Sequence, residues 1–214
     1  MRKEIIGNHT LYCGDCRDIL PQLSTVDAII TDPVWPDNNL PEFKTINAYA
    51  LFREAYELFP EHKRAAYLLN CDSNPLLLKP VKEKFIRAMW LRYVLFGHKG
   101  RILNSGLVGY CFGTPPKSVR GQRLISGEVS AGGWPPKKKR KEHPCVRRQE
   151  HIDFVVYQMS RENETILDPF MGSATTGKAC IKYKRTFVGI EKEQKFFCLA
   201  CKEMENEMRQ QKLF

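Results

Sequence analysis

Apolar positions along the chain fall into short continuous runs that alternate with stretches of three- and four-residue spacing. Residues 26–31, Val-Asp-Ala-Ile-Ile-Thr, form one such run and stop at Asp32-Pro33, which predicts a buried strand ended by the proline. From Asn47 to Phe59 the apolar residues Ala48, Leu51, Phe52, Ala55, Tyr56 and Phe59 recur at helical spacing, and Pro60 follows. An amphipathic helix is predicted there. Ala65 to Asn70 reads as a second buried strand. The regular pattern resumes late in the chain. Ile152, Val155, Val156 and Met159 mark a helix face, Thr165 to Leu167 a strand and Ala174 to Tyr183 a helix. Thr186 to Ile190 gives a further strand and Glu193 to Gln210 a final helix. Between Gly97 and Pro136, repeated glycines and two Pro-Pro pairs interrupt any period, so loops and short strands are predicted. The strand–helix alternation implies an α/β fold, a mostly parallel sheet with helices on both faces. No internal repeat is evident.

Composition narrows the class. The 214 residues suit one domain, or one domain with a sizeable insertion. Hydrophobic residues make up 43% and charged residues 27%, the balance of an ordinary globular chain. No apolar run has the length of a membrane helix or a secretion leader, so a cytoplasmic protein is expected. The net charge of +10 is concentrated in one place. Residues 137–148 hold Lys137, Lys138, Lys139, Arg140, Lys141, Arg147 and Arg148 against the single acid Glu142, a net +6, while the rest of the chain carries +4. A block of this kind points to a polyanion, most often nucleic acid. Its Pro136-to-Lys141 core also resembles a nuclear-localisation signal. The position just ahead of the last third of the chain favours phosphate contact instead.

The eight cysteines read as thiols in a reducing compartment. Cys13/Cys16 and Cys198/Cys201 have metal-like spacing but lie at opposite ends of the chain. The second pair sits in a helical pattern, where small apolar side chains can face a core. No metal is expected.

The densest chemistry is Asp168-Pro169-Phe170-Met171-Gly172-Ser173-Ala174-Thr175-Thr176-Gly177, at the end of a predicted strand and the start of a helix. In a doubly wound sheet this is the crevice where ligands bind. Gly172 allows close backbone approach, and the helix start offers unpaired N–H groups. Glu191 follows the next strand, placed to accept hydrogen bonds from ribose hydroxyls. A nucleoside-type cofactor is the reading these residues support.

These residues resemble the cofactor loop of the DNA amino-methyltransferases, which use S-adenosylmethionine. That family also carries an Asp-Pro-Pro-Tyr-type catalytic element, and Asp32-Pro33-Val34-Trp35 stands after a predicted strand here. The order resembles the β-group, a permuted arrangement of a Rossmann-like methyltransferase fold. In that group a Gly-Asp-Cys segment precedes the catalytic strand, as Gly14-Asp15-Cys16 does, and a His-Pro element precedes the cofactor loop, as His143-Pro144 does. The resemblance implies that Asp168 and Phe170 hold the methionine part of the cofactor, with Gly172, Ser173 and Thr175 in the same loop. Glu191 would hold the ribose, Asp15 would face the adenine moiety, and His143 would help close the pocket. Asp32, Pro33, Val34 and Trp35 would form the pocket for the target base. Three positions depart from the pattern. Val34 replaces a proline, Ala174 replaces a glycine and would crowd the cofactor, and Arg147-Arg148 stand where the His-Pro element usually continues with Lys-Pro.

The implied organisation is a catalytic half over 1–96, an inserted target-recognition and DNA-contact region over 97–142, and a cofactor-binding half over 143–214. The implied reaction moves a methyl group to the exocyclic amine of a flipped base that stacks on Trp35. The aspartate at position 32 points to adenine N6 over cytosine N4. Alternatives are cytosine N4, adenine in RNA, or a catalytically idle nucleic-acid-binding protein on the same fold. The implied setting is a bacterial or phage-type restriction-modification context. DNA is the substrate there, no membrane is involved, and a homodimer and a restriction endonuclease partner are both left open.

Overall fold

A computed structural model describes residues 2–36, 45–118, 127–132 and 147–211. His143 and the basic residues Lys137, Lys138, Lys139, Arg140 and Lys141 lie outside the described residues.

The first half of the chain folds as β1 (Arg2–Ile6), β2 (His9–Cys13), α1 (Cys16–Ile19), β3 (Ala28–Thr31), α2 (Ala48–Glu57) and β4 (Arg64–Asn70). Then come three strands, β5 (Phe85–Lys99), β6 (Ile102–Gly113) and β7 (Glu128–Ala131). The last part is α3 (Gln149–Met159), β8 (Thr165–Asp168), α4 (Thr175–Lys182), β9 (Thr186–Glu191) and α5 (Gln194–Gln211). The described strands form one mixed sheet in the order β1-β2-β9-β8-β3-β4-β6-β5-β7. Its middle, from β2 to β4, is parallel.

β3 shows why its sequence is an unbroken apolar run rather than an alternating one. Ala28 and Ile30 point into a core with Val155, Val156, Cys180, Phe197 and Met204 from α3, α4 and α5. Ile29 points the other way, into a second core with Cys16, Ile19, Phe52 and Ala55 from α1 and α2. A strand covered on both faces must be apolar on both. The late strands β8 and β9 insert between β2 and β3, and the pairs Ala28↔Ile166 and Ile29↔Leu167 set the register. That register brings the carboxyl ends of β3 and β8, and the Asp-Pro step after each, side by side.

The described part of residues 97–136 differs from the loops and short strands expected there. Ile102–Gly113 is a 12-residue strand that pairs antiparallel with both β4 and β5. Two of its glycines, Gly106 and Gly113, mark close approaches rather than loops. Gly106 has φ +140°, and a Cβ there would lie 2.0 Å from the Leu91 carbonyl oxygen. Gly113 has φ +94°, with the Lys63 carbonyl oxygen 2.4 Å from where its Cβ would be. The expected boundary at 96/97 accordingly falls inside β5. The β1–β2 hairpin was not legible either. Its burial is incomplete on β1, where most positions are exposed, so no apolar run announces it. Among the described residues no helix is long and apolar enough to cross a membrane.

Candidate active site

The carboxyl ends of β2, β3, β8 and β9 open into a cavity of about 560 Å³. Asp15, the residues Asp32 to Trp35, the loop residues Asp168, Phe170, Gly172, Ser173 and Thr175, and Glu191 all line it. The motifs read at opposite ends of the sequence therefore meet in one place, because β8 and β9 are interleaved with β2 and β3.

The loop after β8 is held by its own carboxylate. Asp168 is 3% exposed. Its Oδ1 accepts from Thr31 Oγ1 at 2.7 Å and from the Phe170 N–H at 3.1 Å. Its Oδ2 accepts from Thr176 Oγ1 at 2.8 Å. Burial pushes its pKa up to about 6, against those hydrogen bonds, which favour the ionised form. Thr31 thus ties the end of β3 to the β8 loop, a role the sequence did not signal. Glu191 braces the same loop from β9. Its Oε2 accepts from the Gly172 N–H at 3.0 Å and its Oε1 from the Glu193 N–H at 2.8 Å. Burial raises its pKa to about 7. Gly172 and Ala174 both take left-handed backbone, with φ +52° and +58°. Ala174 does not crowd the cavity as expected. It is fully buried, and its methyl packs into the core beside Met171 and Ala179.

Asp15 caps the short helix α1, its Oδ1 accepting from the Arg17 N–H at 3.0 Å. The Arg17 guanidinium also donates to both of its oxygens, and Lys192 Nζ donates at 3.1 Å. The hydrogen bonds with Arg17 hold its carboxyl well below the usual range. Arg17 in turn reaches Glu54 of α2 at 2.8 Å. This ion-pair chain forms one wall of the cavity, and sequence spacing alone gave no sign of it.

The loop after β3 is built differently. The Trp35 indole N–H donates to the Leu68 carbonyl of β4 at 3.2 Å, fixing the ring against both cores. Arg147 and Arg148, both expected at phosphates, take different places. Arg148 sits at the N-cap position of α3. The Arg147 guanidinium, on a side chain only 8% exposed, enters the cavity, donates from Nε to Asp32 Oδ2, and lies 4.1 Å from the Trp35 ring centroid. Arg147 thus stacks on one face of the ring expected to receive a base. Asp32 Oδ1 is withdrawn from solvent and, among the described residues, has no hydrogen-bond partner. Burial raises the Asp32 pKa, and the Arg147 charge opposes the rise. The start of α3 is anchored by Gln149, which donates to the Thr175 carbonyl at 3.1 Å and to Asp153 at 2.8 Å. That anchor sets where Arg147 can reach.

The cysteine pairs are not alike. Cys16 is buried and Cys13 half-buried, but Cys198 is exposed rather than core-facing. Among the described residues no group of three or more His, Cys, Asp or Glu has the arrangement to hold a metal.

Comparison with known proteins gives a consistent picture. The DNA methylase family model (N6_N4_Mtase) matches residues 79–202. The chain is 34% identical over 63 residues to the type II methyltransferase M2.LlaDCHI of Lactococcus lactis subsp. cremoris, covering 29% of this chain and 23% of that protein. It is 34% identical over 107 residues to the type II methyltransferase M.BglI of Bacillus subtilis, covering 45% of this chain and 30% of that protein. The matched stretches thus span less than a third of these curated relatives. Among solved structures, the M1.HpyAVI–SAM complex superposes with a TM-score of 0.68 at 20% identity, over 91% of this chain and 98% of that one. The cytosine-N4-specific PvuII DNA methyltransferase superposes with a TM-score of 0.70 at 10% identity, over 95% and 92%. At those identities the structural likeness establishes the methyltransferase fold. The family match extends over more than half of the sequence, and by it this chain belongs to the DNA methylase family.

Proposed function

We propose that the chain transfers a methyl group from S-adenosylmethionine to the exocyclic amine of a flipped DNA base, adenine N6 ahead of cytosine N4. The observation that carries this reading is the meeting of two Asp-Pro loops, after β3 and β8, over one cavity. Family membership and the type II methyltransferase relatives support the reaction and DNA as substrate. The SAM complex of a structural neighbour supports the cofactor. A restriction endonuclease partner, a homodimer and a cytoplasmic setting belong to the same proposal. The residues present fit the cofactor. The Gly172 backbone and Phe170 line one side of a cavity of adequate size, and the Asp15 and Glu191 carboxyl groups on its wall offer acceptors to ligand hydroxyl and ammonium groups.

S-adenosylmethionine, when bound, supplies a methyl group activated on a sulfonium. The rest falls to side chains of this protein. An exocyclic base amine is a weak nucleophile, since its lone pair is delocalised into the ring. Asp32 and the Pro33 carbonyl would each accept one of its N–H bonds and draw the nitrogen toward tetrahedral geometry. The Asp32 charge offsets the positive charge that grows on nitrogen as the C–N bond forms and the S–C bond breaks. The nitrogen then loses a proton to water. Holding the groups in line supplies much of the remaining acceleration. The aspartate at position 32 favours adenine. The basic run at 137–141 favours a nucleic-acid substrate through phosphate contacts.

The test is to incubate the protein with S-adenosylmethionine and genomic DNA, digest the DNA to nucleosides and analyse them by mass spectrometry. N6-methyladenine is expected. N4-methylcytosine alone would overturn the choice of base, and no methylated nucleoside would overturn the reading.

A further inference from the structure

We infer that Arg147 is a positioning residue for the methyl transfer: it clamps one oxygen of Asp32 against Trp35 and leaves the other as the acceptor for the target amine. The inference rests on the methyl-transfer reading above, and it assigns Arg147 to the reacting end of the cavity rather than to the DNA backbone.

Three contacts define the clamp. Arg147 Nε donates to Asp32 Oδ2, the guanidinium carbon lies 4.1 Å from the Trp35 ring centroid, and the Trp35 indole is itself fixed to Leu68 of β4. A guanidinium has the planar shape to stack on an indole while donating in its own plane, which an ammonium cannot do. The carboxylate is thereby held at one oxygen by a group whose own place is set by a ring and a strand. Oδ1 is the remaining acceptor. Solvent does not reach it, and among the described residues it has no hydrogen-bond partner within bonding distance. A buried acceptor without a donor keeps an unrecovered desolvation cost. An N–H that arrives with the substrate relieves that cost, so the site favours a ligand bearing a donor at this point.

The second consequence is charge. The titratable groups facing Asp32 are Arg147 ahead of α3, Asp168 at the end of β8 and the Tyr93 hydroxyl of β5. Burial disfavours ionised Asp32, and the Arg147 charge and hydrogen bond oppose it, with a smaller contribution from Trp35. Without Arg147, Asp32 would titrate at higher pH and enter the reaction protonated, unable to offset charge on the amine nitrogen. Ionisation of Asp32 is needed for transfer, so activity should be lost as pH falls through its pKa. Removing Arg147 should move that acid limb upward.

The experiment compares wild type with Arg147→Met, which keeps an apolar stem over Trp35, and Arg147→Lys, which keeps the charge. Single-turnover methyl transfer at saturating DNA is followed against pH. In parallel, the Asp32 carboxyl is titrated by ¹³C NMR without DNA. For Arg147→Met we expect a ~10–100-fold loss of rate at neutral pH, an acid limb at least about one pH unit higher, and a matching rise in the NMR midpoint. Arg147→Lys should restore the midpoint in part and the rate less. An unmoved midpoint in Arg147→Met overturns the inference. So does a loss confined to DNA affinity with a salt slope flatter by about 0.9, the sign of one lost phosphate contact. If wild-type protein methylates no DNA, the proposed function falls by itself, and the NMR titration still decides whether Arg147 governs Asp32.

Discussion

Two Asp-Pro corners stand side by side at the carboxyl ends of neighbouring parallel strands, Asp32-Pro33 after β3 and Asp168-Pro169 after β8, and the fold treats their carboxylates in opposite ways. Asp168 is surrounded by neutral donors, and both of its oxygens accept hydrogen bonds, from Thr31, Phe170 and Thr176. Asp32 has a cation on one oxygen and, among the described residues, no hydrogen-bond donor on the other. Burial pushes both groups upward in pKa. A carboxylate whose bonds are all made within the fold is a fastener, and here it fixes the loop that would hold the cofactor. A carboxylate with a bare buried oxygen is unfinished until a ligand arrives. On the proposed function, the same dipeptide would serve as scaffold in one loop and as reactive group in the next, and the difference lies in the donors around it.

The sharpest way to break this comparison is to make the same substitution at both corners. Asp32→Asn keeps an acceptor for Arg147 but removes the charge. It should lower the rate of methyl transfer by about 10²–10³-fold, the scale on which single electrostatic stabilisers act, and leave cofactor affinity nearly unchanged. Asp168→Asn leaves one acceptor oxygen for three donors. It should destabilise the fold by ~1–3 kcal/mol, the cost of unsatisfied buried donors, and weaken cofactor binding measured by calorimetry. If Asp168→Asn leaves cofactor affinity intact, or Asp32→Asn weakens it, the division of labour between the two loops is wrong.

A second test uses the pH dependence of stability, in which the loop after β8 leaves a signature of its own. Glu191 has a folded pKa of about 7 against an ordinary 4.5, and Asp168 about 6 against 3.8. Between the unfolded and folded values the unfolded chain has already released these protons while the native protein keeps them. Stability is therefore greatest below the unfolded values and declines as pH rises, until both groups are ionised in the native state. The window runs from about pH 4 to pH 7 by these values. Asp15, held low by Arg17, acts in the opposite sense and only at more acid pH. The melting temperature without ligand should fall between pH 5 and pH 7.5. Glu191→Gln should flatten that decline by on the order of 3 kcal/mol, several degrees for a chain of this size. A decline as steep in Glu191→Gln as in wild type would show that Glu191 is not the group that keeps its proton.

The two loops also differ in how far their sequences disclosed them. The contacts around Asp168 are mostly local, with Phe170 and Thr176 two and eight residues along, so a motif of ten residues carries most of its own scaffold. The strands on either side were legible because each is buried on both faces and reads as an unbroken apolar run. The partner of Asp32 is 115 residues away and belonged to a run of basic residues. Composition assigned that whole run to phosphate, and nothing in local spacing distinguishes the one arginine that turns inward. The Arg17 chain from Asp15 to Glu54 escaped notice for the same reason, since it joins α1 to α2 across 37 residues. The long strand β6 was hidden by its glycines. In a strand they mark close backbone contacts, as at Gly106 and Gly113, yet along a sequence they look like turns.

The smallest expected effect concerns the loop after β8 and its departure from glycine at Ala174. Among the described non-glycine residues, left-handed backbone occurs at Asn163, Ala174 and Lys184, and only Ala174 lies in either Asp-Pro loop. A non-glycine residue in that conformation costs roughly 1–2 kcal/mol. Ala174→Gly would remove that cost. It would also give the unfolded chain more freedom, worth about 0.4–1 kcal/mol against folding. The lost methyl group is fully buried, and its burial is worth ~0.8 kcal/mol. The three contributions nearly cancel, so thermal denaturation should find the variant within about 1 kcal/mol of wild type, or roughly 2–4 °C. Because Ala174 faces the core and does not line the cavity, cofactor affinity should be unchanged. Stabilisation beyond about 2 kcal/mol would mean that the loop is held under strain by its neighbours, and Asp168 would then be resisting that strain as well as positioning the loop. A clear gain in cofactor affinity would show instead that the alanine methyl obstructs the ligand, and the fully bonded loop would not be the finished scaffold that its hydrogen bonds describe.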